Sequence, residues 1–486
     1  MRTAHSQPHP HTPDHAGHDG EGGRDDEGGP STRPPGGPAT LAVTAFATAV
    51  ALMNYTAPML TLPAMAEAFG TPSSAQAWLL NGTPLGLAAL LLVAGALADA
   101  HGRRRVFLLG TLALGVTTAL GAFAGSTALF TAARIAQGAA SAAILAGSLG
   151  LLADAYPSGR DRIRATGIWG AAVSGGIALG PLLAGALGLV DWRLAYVALG
   201  AAALLTAAVG ARLTAAVGTR TVARPADGTP GDGRRGRPDL AGATTLALAL
   251  GALLTALTLG RDGWLRPVIG VLVLASAALT ALFLLVERRA TEPMIDLGLL
   301  RRREFRVSAV GALFTGLAVI GLFSVVPALI QRGAGMAPLA AAWLFVLWSG
   351  TAFAVALQAR RLAGRLSATH QLALGFVLSA AGVLALLGAL DSPELPWPRL
   401  VAGLVVAGAG SGLLNAALPR LAVDSVPPER AAMGSGANNT ARYIGSAAGV
   451  ALMLALSGSG PDAAVVASAV LALAGAALTV AGSPRR

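Results

Sequence analysis

Two arginines lie deep inside long apolar stretches of this sequence. Arg134 is seven residues and Arg442 about eleven residues from the nearest polar break, which is roughly 10 and 16 Å along a helix. An unpaired guanidinium at such a depth in lipid costs at least ~2.5 kcal/mol, so Arg134 must have a partner or face water. Both are candidates for binding a polar or anionic group. A structural arginine bonded to backbone carbonyls is the alternative at each position.

A second candidate site is an acid followed by a basic turn, Asp99 with Arg103 and Arg104. Residues of these types can latch two helix ends together through ion pairs and the positive end of a neighbouring helix. Protonation of the acid would release such a latch. An ordinary basic loop is the alternative. Asp154 stands at a similar helix end, and Asp424 repeats it 270 residues later, each followed by proline after two further residues.

The composition indicates where these residues must lie. Of the 486 residues, 54% are hydrophobic and 12% charged, against ~25% charged in soluble domains. The net charge of +11 comes from arginines between the apolar stretches, which argues against a nucleic-acid partner. The chain has no cysteine, and it has no lysine for the phosphate-binding loop of ATPases. We therefore predict a membrane protein without a metal or other cofactor.

Apolar stretches long enough to cross ~30 Å of hydrocarbon recur from Thr40 onward. Gly, Ala and Ser are abundant in them, which lets helices pack closely. We predict an all-α integral membrane protein with about fourteen transmembrane helices. The predicted spans are residues 40–62, 76–97, 106–124, 127–152, 163–188, 192–213, 240–259, 265–286, 306–330, 337–357, 369–390, 398–422, 431–456 and 462–482.

The repeated Asp and Pro predict two similar six-helix halves around a central path, at 39–216 and 287–482. The two spans at 240–286 are then an insertion between the halves, preceded by a charged linker at 217–239. Short tails at 1–38 and 483–486 complete the chain. The first tail is predicted to be disordered and solvated, with metal binding as the weaker alternative. That alternative rests on His5, His9, His11, His15 and His18.

Arginine positions also predict the orientation, since cytoplasmic loops retain basic residues. With the N-terminus inside, the cytoplasmic segments hold 28 arginines and the segments on the other side hold five. Both termini are therefore predicted to be cytoplasmic. The five outer residues are Arg193, Arg261, Arg266, Arg332 and Arg399.

At this point the sequence resembles the major facilitator superfamily, whose signature loop has the Gly, Asp, Gly and Arg pattern found from Gly95 to Arg105. Other motifs are similar to those of its fourteen-helix drug:proton antiporter group, and the similarity covers essentially everything after residue 40. They are Arg134 to Gly138 in the fourth span, Gly176 to Gly185 in the fifth, Asp191-Trp192-Arg193 before the sixth, and Gly434 to Gly449 in the thirteenth.

The resemblance implies a bacterial plasma-membrane exporter of small lipophilic molecules that works by proton antiport and alternating access, and we expect a monomer in the lipid bilayer. Gating and coupling would fall to Asp99, Arg103, Arg104, Arg134, Gln137 and Asp154. The fifth span would pack or bend through Gly176, Gly180, Pro181 and Gly185. Candidate substrate contacts are Asn54, Asn438, Asn439 and Arg442.

One position departs from the pattern of that group, which usually has an aspartate in the first span ahead of a Leu-Pro pair. Counting back from Leu62-Pro63, this sequence has Asn54 there, and an amide cannot ionise. None of the 24 acidic residues falls in the middle of a predicted span. A cavity with two arginines and no carboxylate should disfavour lipophilic cations and admit neutral or anionic molecules.

Two alternatives stay open. An uptake or facilitative carrier of the same superfamily is favoured slightly by the missing central carboxylates. A membrane-embedded transferase belongs to another class, and it commonly needs acidic clusters for metal–diphosphate chemistry that are not evident here. We predict a transporter and not an enzyme.

Overall fold

The computed structural model describes residues 37–156, 159–213, 240–260, 265–289, 298–362, 366–392, 394–426 and 431–482. Within these ranges the chain is almost entirely helical and contains no β-strand. A helix satisfies its own backbone hydrogen bonds, which is what a backbone in lipid requires. The predicted tails lie outside the described residues except for Gly37 and Pro38, as do the whole predicted linker 217–239 and the side chain of Asp99.

Seventeen α-helices and one π-helical segment are described within those ranges. The first nine are α1 Gly37–Thr56, α2 Pro58–Ala68, α3 Gln76–His101, α4 Arg103–Ala122, α5 Thr127–Ala155, α6 Gly159–Leu187, α7 Arg193–Leu213, α8 Leu240–Leu259 and α9 Pro267–Arg289. The rest are α10 Arg303–Phe314, the π segment Thr315–Ile320, α11 Gly321–Phe323, α12 Val326–Gly333, α13 Pro338–Leu362, α14 Ala368–Leu384, α15 Trp397–Asp424, α16 Ala431–Ser457 and α17 Pro461–Ala481.

Twelve of the helical segments in the described chain are long and apolar enough to cross a membrane. Two shorter apolar helices lie at 244–259 and Ala368–Leu384. Each of the spans predicted from the sequence overlaps one of these fourteen segments. The all-helical fold class is therefore confirmed.

The helices pack in two groups. In the first, α1 packs on α6, α3 on α5, and α4 on both α5 and α7. In the second, the π segment and its flanking helices pack on α16, α13 packs on α15, and α14 packs on both α15 and α17. The groups meet along two seams, α3 against α16 and α6 against α13, while α8 packs on α9, α3 and α16.

Glycines permit the closest of these approaches. A Cβ at Gly138 of α5 would collide with the Thr83 carbonyl of α3, and one at Gly445 of α16 would collide with the Leu313 carbonyl of α10. Small residues at crossings are the usual means of packing helices in lipid, where no hydrophobic drive brings them together. The many glycines of the sequence thus allow helix backbones to approach each other closely inside each group.

Two irregularities shape the centre of the bundle. Helix α1 ends at Thr56 and α2 begins at Pro58, so the first apolar stretch is interrupted at Ala57, in its last third. The ninth stretch contains the π segment Thr315–Ile320, and π turns of this kind are frequent at functional sites. Both breaks border the cavity described below.

Candidate functional site

Arg134 is fully buried in α5, and its guanidinium is held by oxygen atoms of α1 and of its own helix. Nη1 donates to the Asn54 carbonyl at 2.8 Å, to the Asn54 side-chain oxygen, and to Gln137 Oε1 at 2.8 Å. Nη2 donates to the Tyr55 carbonyl at 3.4 Å. Nε has no partner among the described residues. All of these acceptors are neutral, so the positive charge is solvated by dipoles and not paired with an acid.

The same network joins four helices of the first group. Asn54 Nδ2 of α1 donates to Thr118 Oγ1 of α4 at 2.5 Å, and Gln137 Nε2 of α5 donates to the Thr117 carbonyl of α4 at 3.1 Å. Helix α3 joins through Thr83, whose hydroxyl donates to the Arg134 carbonyl at 3.2 Å. The arginine therefore fixes α1 next to Tyr55, and Tyr55 lines the central cavity.

A cavity lies between the two groups of helices and encloses about 600 Å³ of space, including the part that is open to its surroundings. Its walls come from α1, α2 and α6 of the first group and from the π segment, α11, α13, α15 and α16 of the second. The lining residues are Leu52, Tyr55, Thr56, Met59, Ile177, Thr315, Ile320, Phe323, Ser324, Phe345, Trp348, Ser411, Asn415, Arg442 and Tyr443.

Aromatic rings form much of this lining. Phe323 stacks on Trp348 with ring centroids 4.2 Å apart and planes 9° from parallel, and Phe345 meets Trp348 edge-on at 5.2 Å. Tyr55 and Tyr443 meet edge-on at 6.0 Å, across the two groups. None of these five rings is among the site residues predicted from the sequence. Their signal was available, because aromatic residues make up only 5% of the chain and these lie inside spans.

Among the described residues of the cavity wall, Arg442 is the one that carries a charge. Its Nη2 donates to Asn439 Oδ1 at 2.9 Å, and its guanidinium carbon lies 5.4 Å from the centre of the Tyr443 ring. Its Nε is buried without a partner in the described chain. The predicted site residue Arg442 is thus placed at the cavity with donor capacity to spare.

The three predicted asparagine contacts lie elsewhere, since none is among the described lining residues. Asn54 is occupied by Arg134 and Thr118. Asn438 is buried and donates to the Ser308 hydroxyl at 2.9 Å and to its carbonyl at 3.1 Å. Asn439 donates to the Ser435 carbonyl at 3.1 Å and accepts from Arg442. The described hydrogen bonds of the three asparagines therefore hold helices in place.

The basic turn between α3 and α4 marks what we call the arginine-rich end of the bundle. Arg103 Nη1 lies 2.7 Å from Asp154 Oδ1 and donates to the Gly150 carbonyl at 3.2 Å, which ties α4 to α5. Arg104 Nη2 donates to the Ala211 carbonyl at 2.7 Å, which ties α4 to α7. Both predicted arginines therefore hold helix ends together within the first group.

The glycine and proline motif of α6 packs on both groups. Gly176 faces Ala49 and Gly180 faces Met53, both of α1, while Gly185 faces Ala342 of α13. Pro181 lacks the N–H that would bond the Ile177 carbonyl, and the Thr56 hydroxyl of α1 donates to that carbonyl at 3.2 Å instead. The motif therefore sits beside the cavity and on one of the two seams.

Polar bonds also cross between the groups. The Tyr55 hydroxyl and Ser446 Oγ are 3.1 Å apart, and Asn81 of α3 donates to the Ala447 carbonyl of α16 at 3.0 Å. At the end of the bundle opposite the arginine-rich end, Arg332 Nη2 donates to Gln76 Oε1 at 2.7 Å. The seams are thus bonded near the cavity and at this opposite end.

Comparison with known proteins gives consistent matches over this architecture. The sequence model of the Major Facilitator Superfamily matches residues 44–450. The multidrug resistance protein Stp of Mycobacterium tuberculosis is 30% identical over 397 residues, covering 81% of this chain and 70% of Stp. The puromycin resistance protein pur8 of Streptomyces alboniger is 30% identical over 423 residues, covering 85% of this chain and 80% of pur8.

Solved structures match in fold. A bacterial homologue of the human lysosomal transporter Spinster, in an inward-facing and unoccupied conformation, aligns with a TM-score of 0.65. It is 15% identical in sequence, and the alignment covers 92% of this chain and 97% of that one. At this identity the likeness is one of fold alone.

Proposed function

Because this chain belongs to the Major Facilitator Superfamily, and is therefore a multi-pass membrane transporter of small molecules and not an enzyme, we propose that it exports small lipophilic molecules by proton antiport. The observation that carries the proposal is a cavity of about 600 Å³ walled by both helix groups. A site between two groups that meet along seams can be opened to either side by rocking one group against the other.

Export and drug-like substrates are supported by the relatives, which are named for resistance to several drugs and to puromycin. The substrates are neutral or anionic, because the described cavity wall contains an arginine and no carboxylate. The transporter is a monomer in a bacterial plasma membrane, with its arginine-rich end and both termini in the cytoplasm. The positive-inside bias of its arginines supports this orientation.

The architecture of the proposal has fourteen spans. The two helix groups are the six-helix halves 39–216 and 287–482, and the helices of 240–286 are an insertion. The matching order of packing supports this plan, because α3 on α5 and α4 on α7 have counterparts in α13 on α15 and α14 on α17. Helix α8 then rests on the α3–α16 seam between the halves.

Coupling is assigned to two places. At the arginine-rich end, Asp99, Arg103, Arg104 and Asp154 form a latch that opens when an acid takes up a proton. In the interior, Arg134 and Gln137 transmit the change to Tyr55 at the cavity. The 2.7 Å contact of Arg103 with Asp154 supports the first assignment, and the Arg134 network supports the second. Gly176, Gly180, Pro181 and Gly185 provide the surface on which α6 moves.

A facilitative carrier is the second candidate. The observation that favours it is the lack of a carboxylate among the described residues of the cavity wall, since a central acid is the simplest site for exchanging a proton against a substrate.

Flux in proteoliposomes with an imposed pH gradient separates these candidates. We expect gradient-dependent movement of neutral and anionic lipophilic compounds, and at least tenfold slower movement of quaternary ammonium compounds of equal size. Asp154→Asn should abolish the dependence on the gradient. Asp391→Asn is the matched control, because Asp391 is exposed at the opposite end. Flux of the unaltered protein that ignores the gradient would instead identify a facilitative carrier.

A further inference from the structure

We propose that the central cavity is a receptor for planar aromatic molecules that carry one negative charge. The anionic group binds Arg442, and the ring plane lies against the aromatic shelf formed by Trp348, Phe323 and Phe345. This inference rests on the proposed function, because it takes the cavity to be the transport site, and it names the chemistry of the substrate.

The charge at Arg442 is left without a counter-ion in the described cavity wall. The other polar side chains of that wall are hydroxyl, amide and indole groups, and none of them is acidic. The single described hydrogen bond of the guanidinium goes to the neutral Asn439, and its Nε is buried and unpartnered. A planar guanidinium matches a carboxylate, sulfonate or phenolate oxygen through parallel hydrogen bonds, and such charge-assisted bonds are the strong ones.

A second, independent group also lacks a partner. Trp348 is 7% exposed and lines the cavity, yet its indole N–H is buried with no acceptor among the described residues. Buried indole N–H groups normally find an acceptor. An oxygen or ring nitrogen on the bound molecule would supply one. Both unpartnered N–H groups therefore belong to residues that line the cavity, Trp348 on α13 and Arg442 on α16, and one molecule bound there could accept from both.

The shelf itself selects flat rings. Phe323 and Trp348 are nearly parallel, 9° apart at 4.2 Å, and Phe345 stands at 62° to Trp348. Stacked and edge-on aromatic pairs contribute about 0.5–1.5 kcal/mol beyond the burial of apolar area. Five of the fifteen described lining residues are aromatic in a chain with 5% aromatic residues, so aromatic rings are enriched in this cavity wall. A saturated ring of equal size would gain burial without the stacking.

Equilibrium binding to the purified full-length protein in lipid nanodiscs tests the inference without any proton gradient. Four probes share one skeleton: 2-naphthoate, 2-naphthylmethanol, 2-naphthylmethylammonium and decalin-2-carboxylate, which is the saturated counterpart. We expect 2-naphthoate to bind at least tenfold more tightly than the alcohol and the ammonium compound, and at least threefold more tightly than the decalin acid. Equal binding of naphthoate and the alcohol would overturn the proposal.

Variants assign the two contacts. Arg442→Gln should remove the preference for naphthoate over the alcohol, and Trp348→Leu should remove the preference over the decalin acid. Arg306→Gln and Trp343→Leu are matched controls, because both residues are exposed and Trp343 lies on the same helix as Trp348. If Arg442→Gln does not fold, Arg442→Lys keeps the charge without the planar fork. It should weaken naphthoate binding while retaining part of its preference over the alcohol, and loss of that whole preference would contradict the assignment.

The binding test and the flux test of the proposed function can fail independently of each other. Selective naphthoate binding without gradient-dependent flux would keep the receptor and overturn the antiport mechanism. Gradient-dependent flux of compounds whose binding ignores charge and ring planarity would do the reverse.

Discussion

Replacing Asn54 with aspartate is expected to stabilise the protein and to shift its substrate preference from anions toward cations. The Asn54 side-chain oxygen already accepts a hydrogen bond from Arg134, so a carboxylate there would form an ion pair without moving the backbone. Thr118 now accepts from the Asn54 amide and can turn its hydroxyl to donate instead. Hydrogen bonds to charged groups contribute about 1.5–3 kcal/mol, and this bond already has a charged donor, so ionising its acceptor should move it toward the upper end of that range, a gain of about 1 kcal/mol.

The change in selectivity follows from the charge. Asn54 precedes Tyr55, which lines the cavity, and the described cavity wall contains no acid. A unit charge acting over about 10 Å at an effective dielectric constant of about 20 changes a binding free energy by about 1.7 kcal/mol, or more than tenfold in affinity. Anion affinity should fall and cation affinity should rise by about that factor each, so the ratio of anion to cation binding should fall by roughly a hundredfold or more.

Thermal unfolding in detergent and paired flux of naphthoate and naphthylmethylammonium measure both effects. Asn54→Leu is the control, because it removes the acceptor without adding charge and should lower the unfolding midpoint. An Asn54→Asp variant that unfolds at a lower temperature than the unaltered protein would show that the Arg134 charge is already well compensated by dipoles.

Arg134→Ala should cause the largest loss of activity among single substitutions. Four hydrogen bonds of the guanidinium would disappear. Bonds between membrane helices average about 0.6 kcal/mol, so the loss is about 2 kcal/mol before the cost of the empty space is added. Helix α1 would also lose the contacts that set Tyr55 at the cavity, and we expect at least a tenfold loss of transport.

Arg399→Ala is the matched control, because this arginine also donates to two carbonyls, of Ala385 and Leu387, but is exposed. It should leave transport and the unfolding temperature close to those of the unaltered protein. Arg134→Lys retains the charge but not the fork of donors, so it should fall between Arg134→Ala and the unaltered protein. Transport by Arg134→Ala within twofold of normal would contradict a role for this network in coupling.

The helices were predictable because lipid imposes a strong rule on sequence. Where about twenty apolar residues are bounded by arginines and prolines, the ends of the helix can be placed closely. Helices α5 and α17 begin within one residue of the starts of the predicted spans 127–152 and 462–482. Irregular turns inside a span were harder to predict. The π segment Thr315–Ile320 contains no proline, and its sequence is as apolar as that of an unbroken helix.

The interior polar residues could be listed from the sequence but their partners could not. Arg134 was expected to need a partner, and the structure supplies one from a residue 80 positions away in the chain, Asn54, which had itself been interpreted as a substrate contact. Tertiary packing decides such pairings, since any amide or carbonyl in a neighbouring helix would serve. Trp348 illustrates the opposite case, because only the cavity around it distinguishes it from the exposed Trp343 of the same helix.

Alternating access requires the two helix groups to separate at one end for substrate to move. Gly185 of α6 and Ala342 of α13 face each other across a seam at the end opposite the arginine-rich end, where a Cβ on Gly185 would lie 3.0 Å from that of Ala342. Disulfides need Cβ atoms about 3.5–4.5 Å apart, so a small separation accommodates one. The natural chain has no cysteine, and the pair Gly185→Cys with Ala342→Cys would be the only thiols.

The measurement is flux in proteoliposomes before and after oxidation of this double variant, with the two single-cysteine variants as controls. We predict that flux falls in proportion to the fraction of cross-linked protein, returns on reduction, and is unaffected by oxidation in either single variant. Unchanged flux in fully cross-linked protein would contradict alternating access between the two groups.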